Sequence, residues 1–160
     1  MITQDRLKDL MTYDPDTGEF RWRRGRFGAK AGKRAGHTDV RGYVTLRLDY
    51  KKYYAHRMAW LYMTGEHPID IDHANMDKSD NRFVNLRTAT RSQNMVNTPR
   101  RSDSKTGFKG VSQLPGGRFR AVLSIDGRPC HLGTFATAEE ASAFRTKEAE
   151  RLYGEFYRPE

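Results

Sequence analysis

The stretch IDIDHANMDKSDNRFVNLRTATRSQN, residues 69–94, concentrates one histidine, several carboxylates and several amides in a short length of chain. Its apolar ends and polar middle predict a short strand that ends at His73, a polar loop, and a second short strand over residues 86–89. Thr90 and Gln93 have the spacing of a capping box, which begins a helix. The stretch therefore predicts two strands and a helix around a cluster of polar side chains.

These residue types suit the hydrolysis of a phosphodiester bond, which needs an activated water and a stabilised leaving oxygen. A neutral imidazole can accept the proton of the water near neutral pH. A hard cation on oxygen ligands can supply positive charge. Asp72 and His73 are adjacent at the end of an extended strand, where neighbouring side chains diverge towards different targets. An asparagine carbonyl is suited to fixing the ring and tautomer of such a histidine.

Residues 69–94 resemble the motif of HNH endonucleases, in particular the branch found in phage and intron-borne endonucleases. The resemblance implies a ββα-metal finger in which Asp72 is a metal ligand and His73 is the general base. It also implies that Asn85 orients the base and that Asn94 is the second metal ligand. Many members carry histidine at that last position, and an asparagine there favours Mg²⁺ or Mn²⁺ over zinc, with one ion per active site.

A purely structural role is the alternative for several of these residues. Asn85 can be a turn residue and Asn94 a residue of the helix surface. His56 lies on an apolar helix predicted over residues 55–64, and we expect it to be a packed core histidine and not a ligand. The polar residues between the two predicted strands are expected to form the loop: Asp77, Asp80 and Asn81.

The composition favours a polyanionic partner. The chain has 160 residues and a net charge of +9, with 36% hydrophobic and 31% charged residues. Such a basic balance is typical of nucleic-acid-binding proteins. No apolar run reaches membrane-spanning length, and we expect neither a membrane nor an organic cofactor as a partner. Cys130 is the single cysteine, which excludes internal disulfides and cysteine-rich zinc sites. The first residues lack a secretory signal, so we expect a cytoplasmic, DNA-associated protein of a bacterial or phage-infected cell.

Basic residues alternate with aromatic residues in two segments that read as strands, residues 20–24 and 117–120. Alternation on a strand places the aromatic side chains on one face and the arginines on the other. In the first segment this makes Arg21 and Arg23 candidates for DNA contact. The glycine- and lysine-rich residues 25–36 are expected to form an exposed basic loop, whose role stays open.

Residues 107–157 have a different pattern, with three predicted strands followed by one helix. Asp126 and Gly127 join the second and third strands with a strong hairpin signal, and Thr137 begins the helix through a second capping box. The pieces GFKGV, LGTF and TAEEA resemble the Apetala/ethylene-response-factor DNA-binding domain. That resemblance implies a three-stranded sheet in the major groove with the helix packed behind it.

The candidate DNA-binding residues of this segment are basic side chains on or near the predicted sheet: Lys109, Arg118, Arg120 and Arg128. Other positions depart from the plant proteins, in which arginines and tryptophans read the DNA. The departing residues are Ser112, Leu114, Gly116 and His131. The target sequence of the plant proteins therefore does not carry over, and a small interaction module with a cationic face is the alternative.

The sequence thus predicts an α+β protein in two parts. Residues 1–97 form a nuclease unit whose motif core is 69–97, residues 98–106 form a linker, and residues 107–157 form a targeting domain of three antiparallel strands and one packed helix. The predicted function is metal-dependent cleavage of double-stranded DNA by a histidine-activated water. The alternatives are a non-catalytic DNA-binding regulator and an RNA-directed nuclease, which the major-groove type of sheet disfavours. Monomer and dimer stay open.

Overall fold

Short helices and small antiparallel sheets make up the computed structural model, which describes residues 1–25, 28–98 and 104–157. This mixed α+β architecture confirms the predicted fold class. The chain divides into two units, Met1–Thr88 and Ala89–Glu160. Within the described residues, no helix has the length and apolar character needed to cross a membrane.

The described part of the first unit contains two α-helices and seven strands, which pair as β1–β2, β3–β4–β5 and β6–β7. A 3₁₀ turn, Phe83–Asn85, precedes the last strand. In chain order the elements are α1 (Gln4–Leu10), β1 (Met11–Tyr13), β2 (Phe20–Trp22), β3 (His37–Thr38), β4 (Val44–Leu48), β5 (Lys51–Tyr54), α2 (Ala55–Thr64), β6 (Ile71–His73) and β7 (Leu86–Thr88).

The helix ends of the first unit follow their local sequence signals. The Thr3 hydroxyl accepts a hydrogen bond from the Arg6 N–H at 3.2 Å and caps α1. The end of α2 lies at Gly65, whose φ of +82° is the left-handed conformation that glycine adopts without a steric penalty. Its N–H donates to the Leu61 carbonyl at 2.9 Å. The predicted start and end of α2 are confirmed.

The predicted exposed loop over residues 25–36 folds back along β2 where it is described. The Ala35 N–H donates to the Phe20 carbonyl at 2.7 Å, and the Trp22 N–H donates to the Lys33 carbonyl at 3.0 Å. Residues 26 and 27 lie outside the described residues. The returning segment therefore forms backbone hydrogen bonds with the edge of β2. This pairing could not be predicted from the sequence, because the segment has no apolar periodicity.

An apolar core between α1, α2 and the sheets supports the first unit. Its side chains come from all of these elements because each places apolar residues on one face. Full burial of one such side chain contributes roughly 1.5–3 kcal/mol. The largest fully buried members are Leu7, Met11, Phe20, Leu46, Leu48 and Leu61.

The described part of the second unit is a three-stranded antiparallel sheet with one long α-helix and one short α-helix. Its elements are α3 (Arg91–Val96), β8 (Val111–Gln113), β9 (Phe119–Ile125), β10 (Arg128–Phe135) and α4 (Ala138–Tyr153), and the strand order is β10–β9–β8. Asp126 and Gly127 have φ values of +49° and +76°, which is the two-residue turn predicted for the hairpin. The Thr137 hydroxyl accepts from the Glu140 N–H at 3.1 Å and begins α4 at the predicted residue. The Glu140 carboxylate accepts from the Ala136 N–H at 3.2 Å instead of the Thr137 N–H, so only half of the predicted capping box is present.

The short helix α3 packs within the second unit, whereas the sequence suggested that it ends the first. Val96 is 3% exposed and lies in one apolar cluster with Leu123 and Ala149. The Gly127 N–H donates to the Ser92 hydroxyl at 3.1 Å. A helix of six residues depends on such packing for its stability. The unit boundary accordingly lies before α3, and most of the linker proposed over residues 98–106 lies outside the described residues.

Candidate active site

Asp72 and His73 end strand β6, which pairs antiparallel with β7. The register places Asp72 opposite Arg87 and His73 opposite Leu86. Both site residues are buried, each with 5% of its surface exposed. The polar loop between the strands returns close to β6, where the Ala74 N–H donates to the Asn85 carbonyl at 2.9 Å. The strand end therefore presents an acid and an imidazole from adjacent residues, as the sequence predicts.

The Asp72 carboxylate is paired with the guanidinium of Arg87. Directly opposite residues of antiparallel strands share a face of the sheet, so the two side chains meet. Arg87 Nε lies 3.0 Å and Nη2 lies 2.8 Å from Asp72 Oδ2. Both contacts fall on the same carboxylate oxygen. This cation offsets the buried negative charge of Asp72.

The imidazole of His73 is held in its neutral form by its surroundings. Burial lowers its pKa below the ordinary value, while the Asn81 side chain and the nearby Asp72 carboxylate act in the opposite direction. The ring centroid lies 5.0 Å from that of His56 and 6.1 Å from that of Tyr43. A neutral imidazole with packed neighbours can accept a proton from a fixed direction.

His56 on α2 is the aromatic neighbour that lies nearest to His73. Its ring stacks on Tyr54 with centroids 5.6 Å apart and an interplanar angle of 18°, and Tyr43 lies 5.4 Å away. Burial, together with electrostatic contributions from His73 and Arg57, lowers the pKa of His56 to about 3. The prediction that His56 is a packed core histidine is confirmed.

Asn85, expected to orient the base, uses its side chain to close the loop between the strands. Its Oδ1 accepts from the Asn75 N–H at 3.0 Å, and its Nδ2 donates to the Asp80 carbonyl at 2.8 Å. Both hydrogen bonds reach the backbone of the loop itself. The structure thus places Asn85 beside the strand end and gives its amide a different partner from the one predicted.

Asn81 is the asparagine of the loop whose side chain raises the pKa of the His73 imidazole, against the effect of burial. It is 2% exposed, and its Nδ2 donates to the Ser79 carbonyl at 2.9 Å. From the sequence we expected Asn81 only to form the loop. No local signal distinguishes it from its neighbours, since any asparagine in a polar loop satisfies the same turn preferences.

Asn94 lies on α3, in the second unit, and is half-buried. The capping box predicted from Thr90 and Gln93 is present: Thr90 Oγ1 accepts from the Gln93 N–H at 3.2 Å, and Gln93 Oε1 accepts from the Thr90 N–H at 2.7 Å. The Asn94 N–H then donates to the Thr90 carbonyl at 2.9 Å. The local sequence therefore fixes Asn94 in the first turn of this helix.

The candidate metal ligands are oxygen donors. Asp72 offers a carboxylate and Asn94 an amide carbonyl, the ligand types that hard cations such as Mg²⁺ and Mn²⁺ prefer. Within the described ranges, no group of three or more histidine, cysteine or acidic side chains could hold a metal ion. The donor set that the sequence predicted is consistent with an ion that keeps several water ligands.

Arg118 and Arg120 are exposed beside the sheet of the second unit. Ala121 and Leu123 of β9 are buried against the helix side of the sheet, and Arg120 points to the opposite face because strand side chains alternate. Arg120 lies between Ser112 and Thr134 in the register. Arg118 donates through Nη2 to the Thr134 carbonyl at 3.1 Å.

The other predicted DNA-binding residues are placed differently. Lys109 Nζ donates to the backbone carbonyls of Val96 and Thr98. Arg128 is exposed but pairs with Ile125, which places it on the face of the sheet towards α4. In the first unit Arg23 is exposed, and Arg21 pairs with Glu19 at 2.7 Å. The structure therefore brings together Arg118 and Arg120, and it does not place Lys109 and Arg128 on their face.

Comparisons with known proteins show which family the chain resembles. The model of the family described as HNH endonuclease matches residues 53–96. Over 114 residues the chain is 32% identical to an uncharacterized HNH endonuclease, L560, of Acanthamoeba polyphaga mimivirus, with 69% of this chain and 59% of that protein covered. The chain thus spans less than two thirds of that relative. A solved structure of DNA binding and cleavage by the HNH homing endonuclease I-HmuI matches with a TM-score of 0.45 and 22% identity, covering 90% of this chain and 77% of that chain.

Proposed function

We propose that this chain, which carries an HNH endonuclease domain over residues 53–96, is a DNA endonuclease that hydrolyses phosphodiester bonds with a water activated by His73. One observation carries the proposal. Within the matched segment, a buried and neutral imidazole stands at the end of a strand, next in sequence to the Asp72 carboxylate. A base next to a carboxylate that can bind a metal ion is what the reaction requires.

In the proposed reaction His73 takes a proton from water while the water oxygen attacks phosphorus. The bond from phosphorus to the 3′ oxygen breaks, and the leaving oxygen takes a proton from solvent water, which leaves a 5′ phosphate and a 3′ hydroxyl. His73 is suited to the first step because burial keeps its imidazole unprotonated near neutral pH. Tyr43 and His56 pack against the ring and limit its rotation.

The proposed cofactor is Mg²⁺ or Mn²⁺, one ion per site, and Asp72 and Asn94 would hold it. When bound, such an ion supplies positive charge to the transition state and to the leaving oxygen. The oxygen donors of the two residues fit a hard cation. The Asp72 carboxylate has a fixed position, which favours metal binding, because burial and the ion pair with Arg87 hold it at the end of the strand.

The second unit is proposed to be a DNA-targeting domain for the nuclease unit. The exposed Arg118 and Arg120 support this role, since arginines on a sheet can reach phosphates or guanine edges. Double-stranded DNA is the proposed partner, and the net charge of +9 suits it.

Cleavage of supercoiled plasmid by wild type, His73→Ala and His37→Ala tests the proposal, with Mg²⁺ and then with EDTA. We expect wild type and His37→Ala to nick or linearise the plasmid only with metal, because His37 lies exposed on β3. His73→Ala should bind DNA normally and cut at least about 100-fold more slowly, the usual contribution of a general base.

The same assay separates the proposed function from a DNA-binding regulator. A wild-type protein that shifts DNA in a gel but cuts none of a varied set of targets, with Mg²⁺ or Mn²⁺, would establish the regulator. Equal cutting by wild type and His73→Ala would remove His73 from the reaction.

A further inference from the structure

We propose that Lys78 and Arg41 bind the DNA backbone at a phosphate beside the one that is cut. We call these two residues the cation pair. Lys78 lies in the loop between β6 and β7, and Arg41 lies in the turn between β3 and β4. This inference rests on the proposed function for its substrate, and its binding step can be measured without cleavage.

Aromatic rings connect the candidate base to two lysines. The Tyr43 ring lies 6.1 Å from the His73 ring and 5.3 Å from the Tyr54 ring, measured between centroids. Lys78 Nζ lies over the Tyr43 ring, 5.0 Å from its centroid. Lys52 Nζ lies over the Tyr54 ring in the same way, at 5.7 Å. Two ammonium groups are therefore held by cation–π contacts at the edge of the site.

The two lysines differ in their anionic partners. Lys52 Nζ lies 3.5 Å from Asp39 Oδ2, and this ion pair offsets its charge. Among the residues that the structure describes, neither Lys78 nor Arg41 forms an ion pair. An ammonium or guanidinium without a carboxylate partner can bind a phosphate without first breaking an ion pair. The cation pair is therefore better suited to DNA contact than Lys52 is.

Contacts along its whole length hold Lys78 in place. A Cβ on Gly42 would lie 3.9 Å from Lys78 Cδ, so the aliphatic part of the lysine passes beside the glycine. Lys78 Nζ donates to the Arg41 carbonyl at 3.4 Å. On either side of Lys78, Asp77 Oδ1 accepts from the Ser79 N–H at 2.9 Å and from the Ser79 hydroxyl at 2.7 Å. An ammonium has three N–H donors, so donors are left for a phosphate.

The loop that carries Lys78 is anchored at a second point by the N-terminal hairpin. The buried Tyr13 hydroxyl donates to the Asn81 carbonyl at 2.7 Å, and burial raises the pKa of Tyr13, so that the hydroxyl keeps its proton. The Phe83 N–H donates to the Pro15 carbonyl at 2.9 Å. A cation on an anchored loop loses less conformational entropy when it binds a ligand.

Arg41 lies in a turn whose backbone is fixed by Asp39. Asp39 Oδ1 accepts from the Arg41 N–H at 3.0 Å and from the Tyr43 N–H at 3.1 Å. The Gly42 N–H donates to the Asp39 carbonyl at 2.9 Å, with a φ of +86° at Gly42. The Arg41 side chain is exposed. Because its carbonyl accepts from Lys78, the two residues bring like charges to one place, and a bound phosphate would offset their repulsion.

This chemistry defines what the cation pair recognises. Phosphate contacts fix the position of a DNA strand and carry no information about its base sequence. A contact with a phosphate beside the reacting one is made both before and during the reaction. Its loss should therefore raise KM and leave kcat unchanged, on every target sequence.

The test compares Lys78→Met with Lys51→Met in the full-length protein. Methionine keeps the contact of the side chain with Gly42 and Tyr43 and removes the charge. Lys51 is an exposed lysine of β5, on the face opposite to Tyr54 because strand side chains alternate. Fluorescence anisotropy with a labelled duplex, in EDTA and over a series of salt concentrations, measures binding without cleavage.

We expect Lys78→Met to bind the duplex about 10-fold more weakly at moderate salt, the usual effect of losing a charged hydrogen bond. The slope of log affinity against log salt should fall by about one. Lys78→Arg, which keeps the charge, and the control Lys51→Met should keep the wild-type slope. With Mg²⁺, plasmid cleavage by Lys78→Met should show a raised KM and the wild-type kcat.

Arg41→Gln tests the second member of the pair and decides the question if Lys78→Met does not fold. The Arg41 side chain forms no hydrogen bond or ion pair with other described residues, so its loss leaves the fold intact. We expect its slope to fall by about one as well. Wild-type affinity and slope in Arg41→Gln would remove Arg41 from the site.

The outcomes separate this inference from the proposed function. If Lys78→Met binds and cuts DNA as wild type does, the phosphate contact is overturned while the nuclease stands. A lowered unfolding temperature with an unchanged slope would likewise overturn it, because Lys78 would then only tie the loop to the turn. If wild type cuts no DNA but Lys78→Met lowers the slope and Lys51→Met does not, the phosphate contact stands and the proposed function falls.

Discussion

The buried imidazole of His56 makes the stability of the first unit sensitive to acid. Its pKa is lowered to about 3 in the folded protein, chiefly by burial, against an ordinary value near 6.5. Between these two pH values the unfolded chain binds a proton at His56 that the folded chain does not bind. The free energy of unfolding must therefore fall as the pH is lowered from about 6.5 towards 3, by up to about 1.4 kcal/mol per pH unit from this group.

His56→Phe should remove much of this acid sensitivity. His56 Nδ1 makes no hydrogen bond to any described residue, so an aromatic ring without nitrogen atoms loses little at pH 7. Urea unfolding at pH 7 and pH 4.5 measures the change, with His131→Phe, an exposed histidine, as the control. We expect the difference in free energy between the two pH values to shrink in His56→Phe and to stay as in wild type in the control. Equal acid sensitivity in all three proteins would show that His56 is not the responsible group.

At the scale of single residues, the sequence predicts which side chains form the candidate site better than it predicts which residues those side chains contact. Asp72 and His73 can be identified because the geometry of a strand alone fixes where two adjacent side chains lie relative to each other. The pairing of Arg87 with Asp72 follows from the register of two strands, and the hydrogen bonds of the Asn85 amide follow from the path of a loop. Neither can be read from the spacing of residues in the sequence.

The turn between β1 and β2 is the element that supports the candidate site. Gly18 has a φ of +73° and packs directly on the backbone of Asn81 and Arg82. A second glycine of the same unit, Gly32, has nearly the same φ of +78° but has no atom within 4 Å of the position of its Cβ. The two glycines therefore share a backbone requirement and differ in their packing.

Gly18→Ala should destabilise the protein more than Gly32→Ala. Both substitutions force alanine into the left-handed region, at a cost of about 1–2 kcal/mol. In Gly18→Ala alone, the methyl group also pushes the backbone of the loop between β6 and β7, which we expect to add about 1–3 kcal/mol. Thermal unfolding measures the stability, and plasmid cleavage should show a further loss of rate in Gly18→Ala. Identical behaviour of the two variants would mean that the turn does not support the loop.

Elements with their own start and stop signals were predicted well. The helix over residues 55–64 and the hairpin at Asp126 and Gly127 lie where the sequence places them. Strand β5 was missed because the turn before it, at Asp49 and Tyr50, has positive φ values at two residues other than glycine. The turn residues that normally announce a hairpin are absent there. The position of α3 depends on Val96 packing against Leu123, a distant contact that no local pattern contains.

At the scale of the whole molecule, the positive charge predicts binding to DNA that weakens steeply with salt. Each phosphate contact made by a lysine or an arginine adds close to one unit to the slope of log affinity against log salt. The proposed targeting role of the second unit assigns part of this slope to Arg118 and Arg120.

The double variant Arg118→Ala, Arg120→Ala should lower the slope by about two. The matched control is Lys147→Ala, Arg151→Ala on α4, which removes the same charge from exposed positions of the helix. Fluorescence anisotropy with a labelled duplex over a series of salt concentrations measures both. We expect the control to keep the wild-type slope. An equal decrease of the slope in the two double variants would show that DNA binding depends only on net charge. An unchanged slope in both would show that the DNA contacts other residues.

The hydroxyl of Tyr13 reaches the carbonyl of Asn81 across a sequence separation of 68 residues. Tyr13 lies outside the segment that the family model matches, residues 53–96. The matched segment consequently does not contain all of the residues that support the site. Grafting residues 53–96 onto another protein would transfer His73 and Asp72. The loop that carries Asn81 would then lack its hydrogen bond to Tyr13 of β1. A protein engineer who wants this centre elsewhere has to move the N-terminal hairpin with it.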